Sequence, residues 1–237
     1  MKNKKLNRLI TLVAAGISAN LVLIPSLLAE NVKFVPPQGS QPTQTSGGAT
    51  RGNICAQEAI VNPDKITLLV PGINQNLTTD ARPTLLAYVP QTGAEKALLV
   101  IKDEQENNLY QTELPITGEA GIVSVIIPDD APELEVGKTY KWSFVVMCNN
   151  QILPDSPGAE GQIQRVELDA AVSSQLEPGI SMKNATLLGE SGIWYDTVAT
   201  LAELKKANPS DATINTEWEN LLTSVGLEEI ATKPLAQ

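Results

Sequence analysis

An α+β chain, with an antiparallel β-sandwich followed by a C-terminal helical hairpin module, is the fold class this sequence predicts. Three observations carry it. Leu134 to Cys148 alternates with the period of a strand, residues 54–168 break into seven short strand-like runs, and from Asp169 onward the period turns helical.

The alternating stretch places Tyr140, Trp142, Phe144, Val146 and Cys148 on one face of a strand and Thr139, Lys141, Ser143, Val145 and Met147 on the other. The first set is a core face, and each large side chain on it contributes roughly 1.5–3 kcal/mol when buried. A ligand-stacking platform made of Tyr140 and Trp142 is the alternative, but aromatics on a strand's apolar face serve packing first. Leu134, Gly137 and Tyr140, spaced by three, resemble the tyrosine corner of immunoglobulin-like and fibronectin-type sandwiches. In that motif the tyrosine hydroxyl returns to the backbone upstream.

In chain order, residues 1–29 read as a signal peptide. Lys2, Lys4, Lys5 and Arg8 form a basic start, Leu9 to Ile24 an apolar segment, and Ala29 a cleavage position. An uncleaved anchor is the alternative, although the apolar run is near the lower limit for spanning and carries Asn20. Once the signal is cleaved, no stable membrane span is expected. Residues 30–53 read as a flexible linker rich in Pro, Gly, Ser, Thr and Gln, a composition poor in side chains whose burial offsets ordering entropy. Gly47 to Gly52 lacks the Gly-Lys-Ser/Thr ending of a phosphate loop.

The expected strands are Ile66–Val70, Thr84–Val89, Lys96–Lys102, Asn108–Glu113, Ile122–Ile127, Thr139–Cys148 and Gly161–Leu168. Turn signals such as Pro71-Gly72, Gln91-Thr92-Gly93 and Thr117-Gly118 separate them. Ile122–Ile127 is apolar on both faces for much of its length and reads as a central strand covered by helices. Residues 169–237 then form the helical module, with helices near Asp169–Glu177, Ser181–Glu190, Trp194–Ala207 and Asp211–Val225. Ser210 offers an N-cap to the last and Gly226 a C-cap. Gly192 through Trp194, Leu201, Leu204 and Asn208-Pro209 is similar to the second half of one tetratricopeptide repeat, with Thr197 at the usual small-residue position. One repeat is too few for a free-standing solenoid, so the module either docks on the sandwich or extends a partner's helices.

Residue types limit the chemistry. The chain has no histidine, which removes histidine-based triads and histidine metal sites. Cys55 and Cys148 are its two cysteines, and in an exported chain they most simply form one disulfide closing a loop of about 93 residues. Two separate free thiols are the alternative. Such a loop corresponds to roughly 4–5 kcal/mol in the chain-entropy account. Without residues 1–29 the charge is 13 basic against 27 acidic, a net of −14. That argues against nucleic acid and anionic membrane as partners, since both need clustered Lys and Arg.

Carboxylates remain. Glu190 and Asp196 flank the Gly192 turn with Trp194 and Tyr195 between them, an arrangement that in principle serves a sugar. The structural reading is that Glu190 solvates a helix end and Asp196 favours the first turn of the next helix. Asp129-Asp130 with Glu133 and Glu135 lack the alternation of a calcium loop, and Glu160 with Arg165 reads as an exposed ion pair. No metal, cofactor or catalytic residue is expected. The candidate binding surface is Trp194, Tyr195, Trp218, Glu190 and Asp196, and an exposed apolar groove beside the three aromatics would mark it.

Several landmarks together resemble a cyanobacterial family, domain of unknown function 928. They include Phe34 with Pro36-Pro37, Gly47-Gly48, Arg51-Gly52 and Cys55, then Arg82-Pro83-Thr84 and Tyr88-Val89-Pro90. Gly121 to Ser124, Gly137-Lys138, Trp142, Cys148, Gly161 to Val166 and Gly192 to Asp196 with Leu201 to Leu204 complete the set. Ala49 and Gln162 depart from it. The resemblance implies an exported protein and no activity. The functional expectation is a non-catalytic envelope module that binds a protein or a cell-wall polymer. The alternative is a carbohydrate-directed protein, either lectin-like or a carboxylate-based hydrolase.

Overall fold

The computed structural model describes residues 31–43, 55, 65–153 and 156–236. The expected signal peptide, its cleavage after Ala29, and residues 44–53 of the expected linker lie outside the described residues. Among the described residues no helix is long and apolar enough to cross a membrane.

The chain is mixed α+β, with largely antiparallel sheets first and helices last. Its strands are β1 (Thr67–Leu68), β2 (Leu77–Thr78), β3 (Thr84–Val89), β4 (Lys96–Lys102), β5 (Asn108–Pro115), β6 (Gly121–Ile126), β7 (Thr139–Val146) and β8 (Gly158–Arg165). The helices are α1 (Ala170–Ser173), α2 (Met182–Glu190), α3 (Trp194–Ala207), α4 (Ala212–Ser224) and α5 (Glu228–Ala231). One sheet runs β1-β3-β6 and the other β2-β8-β7-β4-β5. Between these strands every pairing is antiparallel except β2 with β8.

Period-2 patterning explains β7. Tyr140, Trp142, Phe144, Val146 and Cys148 are buried, while Thr139, Lys141, Ser143 and Val145 of the other face stay at least partly exposed. Met147 breaks the pattern and is buried too. Gly137 turns the chain at φ +82°, and the Tyr140 hydroxyl accepts the Glu135 N–H at 3.0 Å. Cys148 is disulfide-bonded to Cys55 and opens a tight Asn149-Asn150 turn, both at positive φ, closed by the Gln151 N–H on the Cys148 carbonyl at 3.1 Å.

Other expectations need correction. The first strand shrinks to two residues. The last starts at Gly158, because Gly158 and Ala159 pair with Val145 and Phe144 although their small side chains give no strand signal. Ile122–Ile127 is not central: β6 is an edge strand, flanked by residues 234–236 through the Ile122 N–H on the Pro234 carbonyl and the Ala236 N–H on the Ile122 carbonyl, both 2.8 Å. Ile126 is accordingly 67 % exposed. The helix near Asp169–Glu177 is one turn, capped by the Asp169 carboxylate. Asp211, not Ser210, caps α4, accepting the Thr213 and Ile214 N–H groups. Gly226 ends α4 as expected, with the Leu227 N–H reaching back to the Leu222 carbonyl at 3.0 Å.

The largest correction concerns residues 31–43, expected as part of a linker. They form a packed strap. Val32 and Phe34 are buried, and the Val32 N–H donates to the Glu217 carboxylate of α4 at 2.8 Å. Phe34 meets Trp194 edge-on at 5.0 Å, and the Val35 N–H donates to the Gly189 carbonyl. A Cβ on Gly189 would stand 2.7 Å from the Lys33 carbonyl oxygen, so α2 needs a glycine where the strap crosses it. One apolar core runs through the strap, both sheets and the helices, so the helices dock on the strands of their own chain.

Candidate functional site

The first turn of α3 is the place where strands and helices lock together. Three consecutive residues there each connect the helix to the strands or to the residues following them. Trp194 donates its indole N–H to the Leu69 carbonyl at 2.7 Å. The Tyr195 hydroxyl accepts from Trp142 Nε1 at 2.8 Å and donates to the Gln162 carbonyl at 2.8 Å, tying α3 to β7 and β8. Burial pushes the Tyr195 hydroxyl well above its usual range, so it stays protonated and able to donate.

Asp196 is the third. Its Oδ2 accepts the Thr78 hydroxyl at 2.7 Å, its Oδ1 accepts the Thr79 hydroxyl at 2.6 Å, and the Thr79 N–H lies 3.1 Å from Oδ2. Thr78 Oγ1 in turn accepts the Asp80 N–H at 3.1 Å. Desolvation raises the Asp196 carboxyl above the ordinary carboxylate range. The hydrogen bonds from Thr79 and Thr78 oppose that rise, and the nearby Asp80 adds to it.

Asp196 lines a cleft of about 270 Å³ between the residues following β2 and the α2–α3 pair. Asp80, Asn184 and Thr200 supply further polar walls, and Leu176, Leu188 and Ala199 the apolar ones. Asn184 is rigidly held. Its amide donates to the Glu177 and Gly179 carbonyls and its oxygen accepts the Glu177 N–H.

The expected surface therefore comes apart. Trp194, Tyr195 and Trp218 are at most 1 % exposed, so no apolar groove is built from their rings. Trp218 donates to the Ala231 carbonyl at 3.0 Å and holds α5 against α4. Glu190 is exposed at the end of α2 and does not line the cleft. Of the five residues, Tyr195 and Asp196 line the cleft, and the companion acid there is Asp80. Thr78, Thr79, Asp80, Asn184 and Thr200 were not anticipated. A polar Asn-Leu-Thr-Thr-Asp run between two turn signals reads as a loop, and nothing local points it at a helix over a hundred residues later.

Three other acids that the sequence singled out have partners outside the cleft. Glu133 pairs with Arg82 at 3.2 Å, Glu135 with Lys138 at 2.8 Å, and Glu160 accepts the Ser143 hydroxyl at 3.1 Å. Among the described residues no group of three or more His, Cys, Asp or Glu side chains gathers where it could hold a metal.

Comparison with known proteins adds one match. The family model described as Domain of Unknown Function (DUF928) covers residues 46–235, and the chain belongs to that family. No curated protein matches it.

Proposed function

We propose, taking membership of this family as the premise, that the chain is an exported, non-catalytic binding module of the cell envelope. The observation that carries this reading is the cleft at Asp196. Its polar groups converge from the residues after β2, from α2 and from α3, and their own hydrogen bonds fix them before any ligand arrives, as pre-formed binding sites require. Its ligand is a protein or a polymer of the envelope. The basic and apolar segments of residues 1–29 support export, and so does the Cys55–Cys148 disulfide, which suits an oxidising compartment outside the cytoplasm.

In this reading the two sheets form an immunoglobulin- or fibronectin-like sandwich. The shared core of the sheets and the Tyr140–Glu135 hydrogen bond support it. The α2–α3 pair then acts as a single tetratricopeptide-like hairpin committed to its own sandwich.

The test takes the protein as its producing cells release it, sediments it with purified peptidoglycan, and crosslinks it in detergent-free envelope extract for mass spectrometry. A recurring protein crosslinked near the cleft, or saturable sedimentation with the polymer, is the expected result. If folded protein shows neither, the reading is overturned. A second, carbohydrate-directed reading draws on Asp80 and Asp196 lining one cleft. It requires glycan release from peptidoglycan that Asp80→Asn abolishes, and it fails if no glycan is released.

A further inference from the structure

We propose that the Asp196 cleft receives a primary ammonium group carried on a short aliphatic chain. This deepens the binding-module reading and rests on it.

Charge comes first. Asp196 and Asp80 are acids, and no lysine or arginine is among the described residues that line the cleft. The nearest arginine in sequence, Arg82, is committed elsewhere. Its Nε donates to the Ala131 carbonyl at 2.8 Å and its Nη1 pairs with Glu133. Half-buried and with no cation among its hydrogen-bond partners, the Asp196 carboxylate is partly desolvated, and desolvation pushes it upward. A cationic ligand opposes that push. The whole chain, at −10, also attracts cations over long range.

Acceptor counting narrows the ligand. An ionised carboxylate offers about four lone-pair sites. Thr78 Oγ1, Thr79 Oγ1 and the Thr79 N–H already donate to them, the N–H shared between Oδ2 at 3.1 Å and Oδ1 at 3.3 Å. Both oxygens are therefore engaged. A guanidinium prefers two parallel bonds to both oxygens of one carboxylate, which this arrangement does not offer. An ammonium needs single acceptors in several directions. The exposed Asp80 carboxylate and the Asp196 carboxylate, which line one cleft, provide these from two directions, with the threonine hydroxyl oxygens nearby.

Size and walls set the rest. At about 270 Å³ the cleft falls just below the range of roughly 300–1,000 Å³ that holds a drug-sized ligand. One extended side chain suits it. Leu176, Leu188 and Ala199 give that chain an apolar bed, as methylenes below a charged head require. A free diamine and a lysine side chain of a partner share this chemistry.

The experiment is a titration of the ¹⁵N-labelled protein, purified from producing cells. Ligands are n-butylamine, 1,5-diaminopentane, N-butylguanidine, butanol, and two blocked tripeptides with lysine or norleucine at the centre. Saturable shifts of the Thr79 and Asp80 amides are expected with the ammonium compounds. N-butylguanidine should bind at least tenfold more weakly, and butanol and the norleucine peptide should give no saturation. Asp196→Asn and, independently, Ala199→Leu should each weaken ammonium binding at least tenfold. Ala199→Leu fills the cleft while leaving the carboxylate and its donors in place, so it decides the matter should Asp196→Asn not fold. Stronger binding of the lysine peptide than of the diamine assigns the ammonium to a partner chain, and the reverse assigns it to a small amine. No saturable shift, or equal binding by Ala199→Leu, overturns the proposal. If envelope binding persists unchanged in Ala199→Leu, only the ammonium inference falls. If amines bind but nothing in the envelope does, the envelope reading falls and this one stands.

Discussion

Two sets of polar contacts hold this molecule, and they sit in opposite environments. At the α3 junction, Trp194, Tyr195 and Trp142 make their bonds where water has been excluded, and Asp196 makes its bonds beside them on the half-buried wall of the cleft. On the rim of the five-stranded sheet, Lys96 with Glu113, Lys138 with Glu135, and Lys102 and Lys141 with Glu106 form ion pairs with their charged ends in solvent. The rim contacts are formally stronger, charge against charge, yet water and salt replace them readily. The aromatic contacts of the junction are neutral, and no water stands ready to take over a lost partner. Stability and the relative placement of strands and helices therefore belong to the junction, and the rim contributes solubility.

That contrast is open to breaking. The largest effect is expected for Trp194→Ala, which empties a fully buried site and strands the Leu69 carbonyl. It should cost about 3–5 kcal/mol in denaturant unfolding, and a loss under about 1 kcal/mol would show that α3 is not anchored there. Tyr195→Phe keeps the ring and removes one hydroxyl. It should cost about 1–3 kcal/mol, because the Trp142 N–H is left buried without an acceptor.

Asp196→Asn probes the junction through pH. Burial raises the native carboxyl above its ordinary value of 3.8, so the native state holds the proton more tightly than the unfolded chain. The contribution of this group is then greatest at and below the ordinary value and is lost as pH rises through the native one. Glu106 on the rim has the opposite sign. The hydrogen bond and charge of Lys141 hold Glu106 below its ordinary 4.5, so its contribution is present above that value and is lost as pH falls through the depressed one. Unfolding midpoints of Asp196→Asn measured from acid to neutral pH should decline less with rising pH than those of the parent, and parallel curves would refute the assignment. The smallest effect is expected on the rim itself. Lys96→Ala should leave the midpoint within experimental error, and any difference should vanish in 1 M salt, about 3 Å of Debye length.

Sequence patterning was informative wherever a period had room to repeat. β3, β4 and α3 have the bounds their residues predict, and the inward face of β7 follows from eight alternating positions. Pairings between distant short segments were opaque. β2 is two residues long, too short to show any period, and its meaning lies in the parallel step beside β8 and in Thr78 meeting Asp196, 118 positions away. Trp194 and Tyr195 carried a true signal read in the wrong direction. Aromatics beside a turn suggest a surface, but each had a buried hydrogen-bond partner that only the folded chain supplies. The strap misled through composition, because Pro, Gly and Gln around residues 36–44 outweighed the alternating Val32 and Phe34 just before them.

The strap also dictates a schedule. The Val32 N–H finds its carboxylate on Glu217, 185 positions later, whereas β4 and β5 are neighbours that pair across a short turn. Hairpins of that kind close in microseconds, while contacts at long sequence separation delay folding. A ribosome makes the strap early and its partner late. Throughout that interval Val32 and Phe34 remain wet and available to other apolar surfaces, the condition under which growing chains aggregate or engage chaperones. Closure of that long ring of chain adds to the time this protein needs to reach its finished state, and shortening the path between residues 32 and 217 by circular permutation should accelerate folding.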